Sequence, residues 1–233
     1  MEALLLGLLG LAVGAALSPV VTALAAWPEE ETPGEAPGGA PPRHGEAGFA
    51  RPLALAVERP RHVVLLALST GATFAATAFG YDEPAEIAIV LAYAAAFLVC
   101  AATDLLSFRV PNVVTYPAMG GALAATAFMP DGEVSSALAG GALAGGLFLV
   151  LAIISRGGMG LGDAKLAAFA GIALGWPIVV SVLLFTALAG GVVSGLVLLL
   201  GLRRRTDPLP YAPFIAAAAV AVMLWQGTAF HEL

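Results

Sequence analysis

Asp104 and Asp163 differ from most of the sixteen acidic residues of this 233-residue chain in lying at the edges of apolar runs. Asp104 closes one such run and leads into Leu105-Leu106-Ser107-Phe108-Arg109-Val110-Pro111-Asn112. Asp163 ends Gly157-Gly158-Met159-Gly160-Leu161-Gly162, where four glycines let backbone approach closely. Of the other acids, Glu29, Glu30, Glu31, Glu35, Glu46 and Glu58 belong to one polar stretch. Glu2, Asp82, Glu83, Asp131, Glu133 and Glu232 fall in the opposite set of connections and ends. Glu86 suits the first turn of a helix, and Asp207 follows an arginine cluster. An ionisable group within a membrane span costs about 3 kcal/mol or more, so function is the default reading for the remaining two.

Two carboxylates a few Å apart cannot both ionise easily, so one keeps its proton. Such a pair holds a base and an acid together. The ionised member takes a proton from water as it attacks a peptide carbonyl; the protonated member donates to the carbonyl oxygen and then helps the amine leave. That chemistry needs neither metal nor covalent intermediate. Simpler roles also fit these residue types. Asp163 could N-cap the following helix, and Asp104 could be a helix-end residue paired with Arg109. An aspartate at a helix C-terminus opposes the dipole, which weakens the second of these.

The elements that must carry the aspartates follow from composition. Hydrophobic residues make up 60% of the chain and charged residues only 11%, against about 25% charged in soluble domains. Lipid rather than water must face most of the outside. Apolar runs predict spans over 3–26, 62–81, 84–105, 112–129, 134–155 and 211–229. Residues 164–201 hold two more, with a turn at Gly175-Trp176-Pro177. From Asp163 to Gly175 is too short to cross a bilayer, so either the glycine-rich segment dips into the membrane or the turn lies further along. The expected fold is all-α: one polytopic membrane bundle over residues 1–233, of about eight transmembrane helices. A polar Pro/Gly-rich insert occupies 28–60 and is too poor in apolar surface to fold on its own.

Charge supports this count. All ten basic residues fall in or beside alternate connections: Arg43, Arg51, Arg59 and Arg61; Arg109; Arg156 and Lys165; and Arg203 to Arg205. The positive-inside rule places those connections, and both aspartates, on the cytosolic side, with the two termini outside. The first run lacks a basic n-region and is longer than a signal h-region, so it reads as a retained span. A net charge of −6 gives no basis for nucleic-acid binding. Cys100 is the single cysteine, which excludes an intrachain disulfide and a multi-cysteine zinc site. His44, His62 and His231 are not spaced as ligands, so no metal and no cofactor is expected. Gly141 with Gly145, and Gly191 with Gly195, have the spacing of close helix packing.

Gly158-Met159-Gly160-Leu161-Gly162-Asp163-Ala164-Lys165-Leu166, continuing to Gly171 and Leu174-Gly175-Trp176, resembles the signature of the prepilin peptidases, or type IV leader peptidases. Asp104 with Pro111, Asn112 and Thr115 resembles the segment bearing that family's first catalytic aspartate. Pro210-Tyr211-Ala212-Pro213-Phe214 resembles the start of its final helix, with Ala212 where glycine is common. The resemblance covers nearly the whole chain outside the insert. It implies a multi-pass enzyme of the plasma (inner) membrane that cleaves the short, positively charged leaders of type IV pilin-like precursors at the cytosolic face. Asp104 and Asp163 would be the catalytic pair. Gly160 and Gly162 would shape the second aspartate's surroundings, Lys165 would help electrostatically, and Pro111 and Asn112 would shape the first. Larger family members carry a four-cysteine zinc site in the first loop and methylate the new N-terminus. A cysteine-free loop argues against zinc here and leaves methylation without support. Two other readings use the same pair: a small ion- or proton-coupled carrier, and a presenilin-like intramembrane protease sharing the Gly-x-Gly-Asp core. Carriers favour carboxylates near the midplane, and the Lys165-Leu166 extension favours the pilin class. Deleting residues 30–42 is expected to leave leader removal largely intact by mass spectrometry; complete loss would make the insert structural.

Overall fold

Away from water, a chain must satisfy its backbone hydrogen bonds internally, which helices do within one segment. The computed structural model describes residues 1–26, 60–155, 159–201 and 210–226, and among these it contains eight helices and no strand. They are α1 (Glu2–Ala25), α2 (Pro60–Thr77), α3 (Pro84–Ser107), α4 (Asn112–Phe128), α5 (Val134–Ile154), α6 (Leu161–Leu174), α7 (Val179–Leu199) and α8 (Ala212–Gln226). The expected insert, apart from Pro60, lies outside the described residues, as do Gly157, Gly158 and the arginines 203–205. Pro84 opens α3 and Pro111 caps α4, positions where a missing N–H costs nothing.

Helices α1, α3, α5 and α7 are long and apolar enough to cross a membrane. Large apolar side chains on their flanks point outward, with Ile153 68% and Leu184 65% exposed. In water such a surface would aggregate; in lipid it is the natural exterior. The chain is a multi-pass helical membrane protein.

Helix α6 is different. Its 14 residues span about 21 Å at 1.5 Å per residue, less than the bilayer core. Nearly every position from Asp163 to Leu174 is buried. A helix apolar all round and buried on every side belongs at the centre of a bundle. The turn after it lies where expected: Gly175 takes a positive φ of 73°. Trp176 N–H donates to the Ser136 carbonyl at 3.0 Å, and the Ser136 hydroxyl donates back to the Trp176 carbonyl at 2.6 Å. Those bonds tie the far end of α6 to the first turn of α5.

Glycines set how closely α5 and α6 approach. A Cβ on Gly171 would overlap the Gly140 carbonyl, and one on Gly140 would overlap the Gly171 carbonyl. Gly141 and Gly145 meet Ile172 and Ala168 in the same seam, as their spacing suggested. Gly191 and Gly195 do not behave this way. A Cβ on either meets nothing within 4 Å among the described residues. On the other side, Phe97 of α3 stacks on Phe169 of α6 with ring centroids 4.4 Å apart, and Tyr93 meets Phe169 edge-on at 5.7 Å. Helix α6 is thus clamped between a glycine seam and an aromatic one.

Gly171→Ala is expected to destabilise the bundle by about 1–3 kcal/mol, because backbone rather than a movable side chain opposes the added methyl. Gly191→Ala is expected to stay within about 0.5 kcal/mol of the parent. Unfolding in detergent micelles measures both, and equal stability of the two variants would refute the seam.

Candidate active site

Asp104 sits in the last turn of α3, whose C-cap, Phe108, adopts a left-handed conformation (φ 55°, ψ 38°) and donates its N–H to the Asp104 carbonyl at 2.8 Å. For a bulky residue that conformation costs about 1–2 kcal/mol. It reverses the chain sharply enough for Pro111 to cap α4 three residues later. The Asp104 side chain is 5% exposed, and its Oδ2 accepts a hydrogen bond from Ala212 N–H at 3.1 Å. Ala212 opens α8, where backbone N–H groups have no partner within the helix. The positive end of α8 therefore faces a carboxylate that the negative end of α3 would otherwise disfavour.

Asp163 is 6% exposed and lies in the first turn of α6. It is not the N-cap, the simpler role that spacing allowed. Gly160 is the cap, and Asp163 stands three residues further in, with Oδ2 accepting from Gly160 N–H at 3.3 Å. This is half of a capping box, since glycine has no side chain to return the bond. Each carboxylate thus leans on a backbone donor at a helix start. Helix α6 packs on both α3 and α8, and Asp104 is bonded to the first residue of α8. Among the described residues no group of three or more His, Cys, Asp and Glu side chains is placed to hold a metal ion.

The other expected residues lie at the starts of α4 and α6. Gly162 packs on the α3–α4 connection: a Cβ there would lie 2.9 Å from Val110 Cβ. Gly160 is less constrained, because its φ is −78° and a Cβ would lie 3.7 Å from Asp163 Oδ2. Lys165 Nζ donates to Asn112 Oδ1 at 2.8 Å and lies 5.1 Å from the centre of the Tyr116 ring. The Pro111 carbonyl accepts the Thr115 N–H and hydroxyl, at 3.0 and 2.9 Å. Three participants were not read as such from sequence: Val110, Tyr116 and the Ala212 N–H. Tyr116 lies one turn beyond Asn112, so helical spacing places it on the same face. The prolines beside Ala212 announce a helix start, although its partner is 108 residues away. Val110 carries no local signal.

A cavity of about 450 Å³ lies elsewhere, between α1, α2 and α3. Val21, Leu66, Leu98 and Leu105 wall it, and neither aspartate lines it. The Thr22 and Ser69 hydroxyls there donate to carbonyls of their own helices. It is an apolar hollow without groups for proton transfer. Asp104 and Asp163, by contrast, are of the residue type that general acid and base work uses.

Residues 91–195 match the model of the type IV leader peptidase family, a segment that contains both aspartates, Asn112, Tyr116 and Lys165. Three relatives are each named prepilin leader peptidase/N-methyltransferase. The protein of Bacillus subtilis is 32% identical over 159 residues, covering 68% of this chain and 64% of its own. That of Burkholderia pseudomallei strain 1026b is 34% identical over 176 residues, covering 72% and 56%. That of Pseudomonas aeruginosa is 27% identical over 168 residues, covering 70% and 57%. The matches thus span less than two thirds of the length of these relatives. No solved structure matches.

The two glycines beside Asp163 should separate in function. Gly162→Val, forced off Val110, is expected to lower any peptide-cleaving activity about tenfold or more, whereas Gly160→Ala should stay within about twofold. Initial rates on one peptide substrate compare them, and the reverse order would refute the packing role of Gly162.

Proposed function

Because residues 91–195 match the model of the type IV leader peptidase family, we propose that the chain is a membrane aspartic endopeptidase of that family that removes the leader from type IV pilin-like precursors. The observation that supports the reading is the setting of Asp104 and Asp163. They come from separate helices, both are buried, and each accepts a backbone hydrogen bond at a helix start. Burying a carboxylate is costly, and two buried at the starts and ends of packed helices support a shared task.

In the proposed reaction the pair shares one proton. The ionised carboxylate takes a proton from a water molecule, whose oxygen bonds to the scissile carbonyl carbon. The protonated carboxylate donates to the carbonyl oxygen, giving a neutral tetrahedral diol. Collapse of the diol breaks the C–N bond. The nitrogen gains a proton and leaves as the new amine, the carbonyl re-forms as a carboxylic acid, and the pair returns to its single shared proton. Gly162 and Val110 hold the first turn of α6 against the α3–α4 connection, so both carboxylates can address one peptide bond.

The site is assigned to the cytosolic face of the plasma membrane. Arg109 lies in the α3–α4 connection and Lys165 just past the first turn of α6, close in sequence to the two aspartates, and the positive-inside rule puts such connections in the cytosol. The substrate would present its leader there while its apolar helix remains in the bilayer. The proposal covers the peptidase activity alone, since the matches leave more than a third of each relative's length uncovered.

Asp104→Asn and Asp163→Asn are each expected to cut leader removal by about 10³-fold or more while membrane insertion stays unchanged. The assay combines each purified variant with a candidate prepilin and follows the mature chain by mass spectrometry. Full activity in either variant would rule out the two-carboxylate mechanism.

A further inference from the structure

Lys165 follows Asp163 by two residues, which places the two side chains about 200° apart around α6. Asp163 turns inward and is buried, while Lys165 reaches back to α4. There its ammonium meets two residues one helical turn apart: Asn112, which accepts a hydrogen bond at 2.8 Å, and Tyr116, whose ring centre lies 5.1 Å away. Gly162 contacts Val110 in the same region. The first turn of α6 is therefore held at two points, by close packing at Gly162 and by a cation clasp at Lys165. Both points lie on α4 or on the short connection between Asp104 and α4.

We propose that Tyr116 is a positioning residue that, with Asn112, holds Lys165 and so fixes the first turn of α6 at the spacing the two aspartates require. The inference rests on the peptidase reading for its consequence in catalysis, but the clasp itself is a structural claim. Tyr116 is 54% exposed, so its ring is not needed to fill the core. An aromatic face attracts an ammonium through its quadrupole without removing it fully from solvent. Asn112 supplies direction and the ring supplies attraction, so neither alone fixes the flexible lysine. The ring rather than the hydroxyl does this, so Tyr116→Phe should retain the clasp. Tyr116→Leu keeps the bulk and loses the quadrupole, and Lys165→Met keeps the stem and loses the charge.

The clasp is testable without any assay of activity. Cys100→Ala gives a cysteine-free chain, into which Phe128→Cys (88% exposed, far end of α4) and Leu161→Cys (59% exposed, start of α6) introduce two spin labels. Pulsed EPR in nanodiscs then reads the position of the α6 start relative to α4. The parent and Tyr116→Phe should give one narrow distance, and Tyr116→Leu and Lys165→Met a broadened or shifted one. Identical distributions in all four would overturn the clasp.

Kinetics of leader removal form the second arm. Tyr116→Leu is expected to lower kcat about tenfold with KM within about twofold, and Tyr116→Phe to stay within about twofold in both. The double variant Tyr116→Leu/Lys165→Met should be no worse than the poorer single variant, as for two parts of one contact. Multiplying defects, or a loss confined to KM, would overturn the positioning role. A parent that shows the narrow distance yet cleaves no prepilin would sink the peptidase reading while leaving the clasp in place.

Discussion

Two carboxylates removed from water must find hydrogen-bond donors or remain uncharged, and the fold is arranged around that requirement. The donors are backbone N–H groups at two helix starts: Ala212 for Asp104 and Gly160 for Asp163. A helix start offers N–H groups that nothing within the helix can use. No additional polar side chain is then needed at either contact, which matters in a chain that is 60% hydrophobic. The arrangement also constrains topology. It requires the C-terminal end of α3 and the N-terminal ends of α6 and α8 to meet at one end of the bundle.

Helix α6 makes that meeting feasible. Because it is short and buried, it need not reach both membrane surfaces, and its first turn can sit among its neighbours rather than in the headgroups. Close approach at Gly140 and Gly171, and stacking of Phe97 on Phe169, fix its axis from two sides. The contacts of Gly162 and Lys165 then fix its first turn. In the proposed reaction, rigidity far from the two aspartates becomes precision at them, since general acid–base chemistry depends on close placement more than on additional functional groups.

Sequence made the helices legible because lipid imposes long uninterrupted apolar runs, and prolines and glycines punctuate them. The start of α3 at Pro84 and the turn at Gly175-Trp176-Pro177 lie where the residues indicate. The aspartates were legible for a related reason: a carboxylate beside an apolar run needs a cause. The partners of those aspartates were not legible. Ala212 N–H is a backbone group whose identity a sequence does not display, and its bond to Asp104 spans 108 residues. Tyr116 and Val110 are ordinary helix and loop residues until α6 is placed against them. Spacing also misled at Gly191 and Gly195. They share the pattern of Gly141 and Gly145 but meet no described neighbour, because a small-residue pair permits close packing without choosing a partner.

The proposed chemistry requires the side chains at 104 and 163 to face one another. The direct measurement uses Asp104→Cys and Asp163→Cys together in a Cys100→Ala chain in native membranes, treated with a short bifunctional thiol reagent. An intramolecular crosslink is expected in the double-cysteine chain and none in either single-cysteine chain. Independent labelling of both thiols with no crosslink between them would contradict that chemistry.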